Sequence, residues 1–180
     1  MSDFPILSAH REPPGRTIDG GLSRSTPLLI VINAASGSGD GQENRRAVET
    51  VLTEGGQSYR ILPVDTPDHL EMVAKQAANE AQSEGGAVIV AGGDGTINAV
   101  AQWVLPTGRP FGLIPQGTFN YSARAHGIPL DSAEAARALL HPRLKPIQVG
   151  LVNGRVFLVN ASLGLYPQSL QDREAFKKLY

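Results

Sequence analysis

The chain has 180 residues, one domain and a small remainder at roughly 150 residues per domain. Lys+Arg 16 against Asp+Glu 17 gives a net charge of −1, a balance that argues against a general nucleic-acid binder. Cysteine is absent, which excludes disulfide scaffolds, thiolate zinc sites and cysteine nucleophiles, while a hydrophobic fraction of 41% suffices for a packed core.

Residues 1–27 read as a disordered leader, with Pro5, Pro13, Pro14 and Pro27 and no apolar periodicity. Phe4, Ile6 and Leu7 are interrupted by Pro5 and followed by His10, Arg11 and Glu12, which is not the pattern of a signal peptide. The longest apolar runs, Leu28 to Ile32 and Ala87 to Ala91, fall far short of the roughly 20 residues of a membrane span. The expected address is the cytoplasm, with any membrane contact peripheral.

Leu28–Ile32 has the wholly apolar character of a strand buried on both faces. A Gly/Ser loop follows, then Ala47, Val48, Val51 and Leu52 at helical spacing until Gly55 and Gly56. Tyr59–Val64 reads as a second strand, and Pro63 assigns it to an edge or a strand end. Thr66, Pro67 and Asp68 open a helix whose small apolar face is Leu70, Val73, Ala74, Ala77, Ala78 and Ala81. Ala87–Ala91 is the third strand and Phe111–Ile114 the fourth, leading through a loop into a short helix. Trp103, on a helical face with Val100, is expected in the core. Asp131 and Glu134 have the spacing of a capping box. Strands alternating with helices give an α/β fold, a parallel sheet with helices on both faces.

The pattern changes near Leu144. Residues 146–152 and 155–160 around Asn153–Gly154 read as an antiparallel hairpin with a type I′ turn. Such a hairpin is marginal alone and needs more sheet or a helix to pack on. The division is therefore a leader at 1–27, an α/β domain at 28–142 that holds the loops considered next, and at 143–180 the start of a β-rich second domain that stops early. The open hairpin edge also offers a strand to a second copy, a route to a homodimer.

In an open α/β sheet, ligands bind beyond the C-terminal strand ends, where three unusual loops fall. In Gly92–Gly93–Asp94–Gly95–Thr96, glycines let backbone N–H groups close on a phosphate at a helix N-terminus. Asp94 repels an anion, so its chemistry is that of a metal ligand or an acceptor of a hydroxyl proton; the alternative is a tight turn with Thr96 as N-cap. The first loop, Asn33 to Gly41, is neither a Walker A sequence nor a dinucleotide fingerprint, and a plain linker is its alternative. In the third, Gly117–Thr118–Phe119–Asn120, the Thr118 hydroxyl and Asn120 amide are placed to hold phosphate or ribose oxygens, unless Asn120 merely caps its helix. The four histidines have no ligand spacing.

Taken together, Asn33–Ala34–Ala35–Ser36–Gly37–Ser38–Gly39, Gly92 to Asn98, and Ile114 to Arg124 resemble the diacylglycerol kinase catalytic domain, in its bacterial diacylglycerol/sphingosine-type lipid kinase branch. The resemblance covers about residues 28–165 and keeps the motif order. It implies a Rossmann-like sheet, ATP as donor, Mg²⁺ as metal, and a lipid hydroxyl at a membrane surface as acceptor. It also implies nucleotide contacts from Asn33, Ser36, Gly92, Gly93, Gly95, Thr96, Ile97, Asn98, Gly117, Thr118 and Asn120, with Asp94 as the acidic residue serving metal or hydroxyl. Phe119 and Tyr121 stand where many relatives have Gly and Asp, a departure that bears on substrate choice. The family's β-rich second domain, which supplies a further catalytic carboxylate, is represented here only by its opening hairpin. The competing expectations are an ATP-binding module without catalysis and a kinase of a soluble acceptor such as NAD.

Overall fold

The structure is a computed structural model that describes residues 22–33 and 41–159. Four parallel strands, β1 (Leu28–Asn33), β2 (Tyr59–Val64), β3 (Ala87–Gly92) and β4 (Phe111–Pro115), form one sheet in the order β2-β1-β3-β4. Five helices accompany them: α1 (Gly41–Glu54), α2 (Leu70–Glu84), α3 (Asp94–Val104), α4 (Tyr121–Ala125) and α5 (Ser132–Ala138). An antiparallel pair, β5 (Gly150–Val152) and β6 (Arg155–Phe157), follows.

The strand period of two divides the core into two layers. Leu29, Val31, Val88 and Val90 face α2 and α3, burying Val73, Ala77, Ala81, Ile97, Val100 and Val104. Leu28, Ile30, Ala87, Ile89 and Ala91 face α1 and α5, with Val48, Leu52, Ala135 and Ala136. Every residue of β3 is buried, as its unbroken apolar run requires, and each large aliphatic side chain so placed contributes about 1.5–3 kcal/mol. The chain leaves β1 toward β2 on one side and returns past it to β3 and β4 on the other. With a fixed crossover hand, that reversal is why α1 and the α2–α3 pair occupy opposite faces.

Most of the expected elements form as read, and β2 is an edge strand with Pro63 next to its end, so both positions open to that proline are met. Three details differ. Trp103 is not in the core: it is 37% exposed, and the Lys75 ammonium lies 4.2 Å from its ring centroid. The burial there is done by Val100 and Val104, which leaves the indole on the flank of α3 as a cation platform. The capping box is half formed, since Asp131 accepts from the Glu134 N–H but the Glu134 carboxylate turns to Arg137. The hairpin's paired region is shorter than expected, Gly150–Val152 against Arg155–Phe157, and its turn has Asn153 at φ 49° and Gly154 at φ 75°, the left-handed pair of a type I′ turn. Residues 22–27 are hydrogen-bonded onto the sheet, through Arg24 C=O to the Ser58 N–H and Pro27 C=O to the Ala87 N–H.

Candidate functional site

Strands β1, β3 and β4 end nearly level, because Ile32 pairs with Ala91 and Gly92 with Pro115. The crevice between diverging connections, at β1 and β3, is where doubly wound sheets bind ligands. Asn33 ends β1 at this crevice. Ser36, with the rest of the first loop, lies outside the described residues.

The second loop is a tight exit from β3 into α3. Gly92 is buried, and a Cβ there would meet Thr96 Cβ at 3.0 Å, so Thr96, itself 8% exposed, packs directly beneath the turn. Gly93 is the helix N-cap, and having no side chain it gives no capping hydrogen bond of its own. A Cβ on Gly95 would meet nothing within 4 Å among the described residues. Among those residues the first turn of the helix N-terminus is open to approach. Ile97 is fully buried, so only its backbone faces the loop; its side chain belongs to the core.

The third loop is built against the second. The Gln116 N–H donates to Gly92 C=O at 3.0 Å, and a Cβ on Gly117 would stand 2.7 Å from the Gly93 Cα. Only glycine permits this backbone-on-backbone approach. Asn120, at φ 52° and 7% exposed, closes the loop from within: its Oδ1 accepts from the Gly117 N–H at 2.9 Å and its Nδ2 donates to the Gly117 C=O at 2.8 Å. The Asn120 amide is thus spent on shaping the loop. It occupies the N-cap position of α4 without capping it.

That cap comes from Asp94. Its Oδ2 accepts from the Tyr121 N–H at 3.0 Å and its Oδ1 from the Ser122 N–H at 2.9 Å, joining residues 27 and 28 positions apart. Each carboxylate oxygen keeps a further acceptor site, since an ionised carboxylate offers about four. The turn reading of Asp94, with bonds to its own neighbouring backbone, is replaced by a bridge between two ligand loops. Thr118 is exposed on the outer side of the junction.

Two buried polar atoms near these loops have no hydrogen-bond partner among the described residues: Asn98 Oδ1, one turn along α3 from Asp94, and Gln116 Nε2. Gln116 stood inside the quoted motif without a role. Gln102 was missed altogether. Its Oε1 accepts from the Val156 N–H at 2.8 Å and its Nε2 donates to the Val156 C=O at 2.7 Å, so one amide pairs with β6 as a neighbouring strand would. The hairpin also reaches α2 electrostatically: hydrogen bond and charge from Lys75 hold the Glu71 carboxyl below the usual carboxylate range, and Arg155 of β6 adds in the same direction. No local pattern could have signalled a contact between residues 54 positions apart.

The profile of the diacylglycerol kinase catalytic domain matches residues 27–152. The chain belongs to the diacylglycerol kinase catalytic domain family. It is 38% identical over 142 residues to a probable lipid kinase YegS-like protein of Pseudomonas aeruginosa, covering 76% of this chain and 44% of that protein. To the diacylglycerol kinase of Bacillus subtilis it is 35% identical over 150 residues, covering 79% of this chain and 47% of that one. The crystal structure of a diacylglycerol kinase from Bacillus anthracis superposes with a TM-score of 0.65 at 29% identity, over 73% of this chain and 45% of that chain. This catalytic-domain chain spans about half the length of the relatives it matches. Among its described residues, no helix is long and apolar enough to cross a membrane.

Proposed function

We propose that this chain is the nucleotide-binding part of an ATP-dependent lipid kinase, moving the ATP γ-phosphate onto a lipid hydroxyl. The observation that carries this reading is the junction of the two glycine loops, Gly93 against Gly117, with Asp94 bridging them beside the start of α3. Backbone N–H groups and the α3 dipole favour the phosphates, with Gly93, Gly95, Gly117 and Thr118 lining the approach and Thr96 supporting the turn from beneath. Asn33, Ser36, Gly92, Ile97 and Asn98 belong to the same nucleotide subsite, Ile97 through its backbone, and Asn120 serves by holding the loop.

The chemistry of Asp94 suits Mg²⁺, because this ion is usually held by one or two carboxylates together with substrate phosphates. The remaining acceptor sites of Asp94 would hold it, and it would neutralise charge on the β- and γ-oxygens. In the transfer, the lipid hydroxyl oxygen bonds to the γ-phosphorus, the bridging bond to the β-phosphate breaks, ADP leaves, and a carboxylate takes the hydroxyl proton. Asp94 is the carboxylate we assign to the metal or to that proton. The acceptor sits at a membrane surface, which makes the protein cytoplasmic and peripheral at the inner face.

A second reading is supported by the span of less than half of each relative: a module that binds ATP and transfers poorly by itself. The deciding experiment incubates γ-labelled ATP, Mg²⁺ and a mixed lipid extract with the chain and with Asp94→Asn, beside calorimetric titration of Mg-ATP. Label in a lipid product, reduced about 100-fold or more in Asp94→Asn, is the expected result. ATP binding without labelled lipid favours the binding module, and label on added NAD instead of lipid would overturn the lipid assignment.

A further inference from the structure

Two aromatic side chains of the third loop stand in solvent. Phe119 is 63% exposed and Tyr121 51%, and their rings stack with centroids 5.4 Å apart and planes 4° from parallel. Nothing in the core explains two aromatic rings held in water. They flank Asn120, whose burial and two hydrogen bonds with Gly117 fix the loop, and the Tyr121 N–H donates to Asp94. The pair is therefore mounted on a rigid support, so little ordering cost attends its use in binding.

The segment that carries the pair is basic. The sequence from Gly95 to Leu130 contains no Asp or Glu, while Arg124 is exposed and its Nε donates to the Phe119 C=O at 2.9 Å. His126 is exposed on the same segment, as is Leu130 at 40%. Arg109, the other arginine of the segment, is spent on the Gly85 and Gly86 carbonyls that precede β3. Among the described residues, the carboxylate bonded to this segment is that of Asp94, whose oxygens accept from the Tyr121 and Ser122 N–H groups. Exposed aromatic rings with a fixed arginine, on a segment without Asp or Glu, suit the interface of a bilayer bearing anionic headgroups, where rings enter at headgroup depth and the cation meets phosphate.

We propose that Phe119 and Tyr121, with Arg124, form the surface by which this domain seats on an anionic lipid bilayer, setting Asp94 beside the membrane plane. The proposal rests on the lipid-kinase reading for the purpose of the contact and deepens it by naming the contact surface. It is measured without turnover, so a failure of transfer and a failure of docking are separate results.

The test is sedimentation of the 180-residue chain with phosphatidylcholine vesicles, with and without phosphatidylglycerol, for wild type, Phe119→Ala/Tyr121→Ala and Arg124→Gln. The wild type is expected to bind the anionic vesicles. The double variant should partition about tenfold less, and Arg124→Gln about fivefold less with a weaker salt dependence. Mg-ATP titration of the same variants should match the wild type, and an unchanged thermal melt shows that each is folded. Wild-type chain left in the supernatant, or variants that sediment equally with it, would overturn the proposal. So would a double variant that keeps vesicle binding but loses ATP affinity, which would reassign the rings to stacking on a nucleotide base.

Discussion

At its N-terminus, helix α3 meets the third loop through a backbone hydrogen bond to Gly92, a glycine-on-glycine contact and two carboxylate bonds from Asp94. Further along the same helix, the hairpin is hydrogen-bonded to it through one side chain, Gln102. The difference lies in the reference state of each region. The loops stand on β3 and β4, strands already buried by two helical layers, so their polar contacts refine a structure that apolar burial has made. The hairpin has Ile147, Val149, Leu151, Val152 and Val159 exposed around it, and its polar contact to α3 carries a larger share of its placement.

Three substitutions press on that contrast. Ile89→Ala removes a side chain 1% exposed at the centre of β3 and should cost about 2–5 kcal/mol, read as a lower midpoint in chemical denaturation; a loss under about 1 kcal/mol would mean that the sheet is not the stabilising unit. Gln102→Ala deletes two hydrogen bonds and leaves the Val156 amide groups of β6 unpaired, a local loss of about 1–3 kcal/mol. Hydrogen exchange should then accelerate across β5 and β6 while β3 keeps its protection, and equal acceleration in both would erase the contrast. Leu151→Ser, at a side chain 58% exposed, should stay within about 0.5 kcal/mol in this chain. A large effect there would reveal burial of the hairpin against something further.

The sheet was legible because its information is local. An unbroken apolar run such as Ala87–Ala91 can only be a strand covered on both sides, Pro63 excludes a central position for β2, and Asn153–Gly154 names its own turn. The site was legible in its parts and not in its joints. Glycine loops after apolar runs announce a ligand crevice, yet nothing in the local pattern says that Asp94 caps a helix 27 residues away, or that Asn120 turns inward to Gly117. Helical periodicity assigned Trp103 to a face, but the width of that face is set by its neighbours, and Lys75 on α2 holds the indole at the surface.

The contact of Gly93 with Gly117 also has a mechanical meaning. Two loops that touch backbone to backbone, one leaving β3, paired on both sides, and the other leaving β4, paired with β3, form a stiff corner that cannot open without disturbing the sheet. Compliance in this chain must therefore reside elsewhere. Among the described residues, 142–149 run without regular structure up to β5 and connect the α/β domain to the hairpin, which also contacts α2 and α3. The corner is thus the stiff part of the fold, and any displacement of the hairpin would turn on residues 142–149 and break the two Gln102–Val156 hydrogen bonds first.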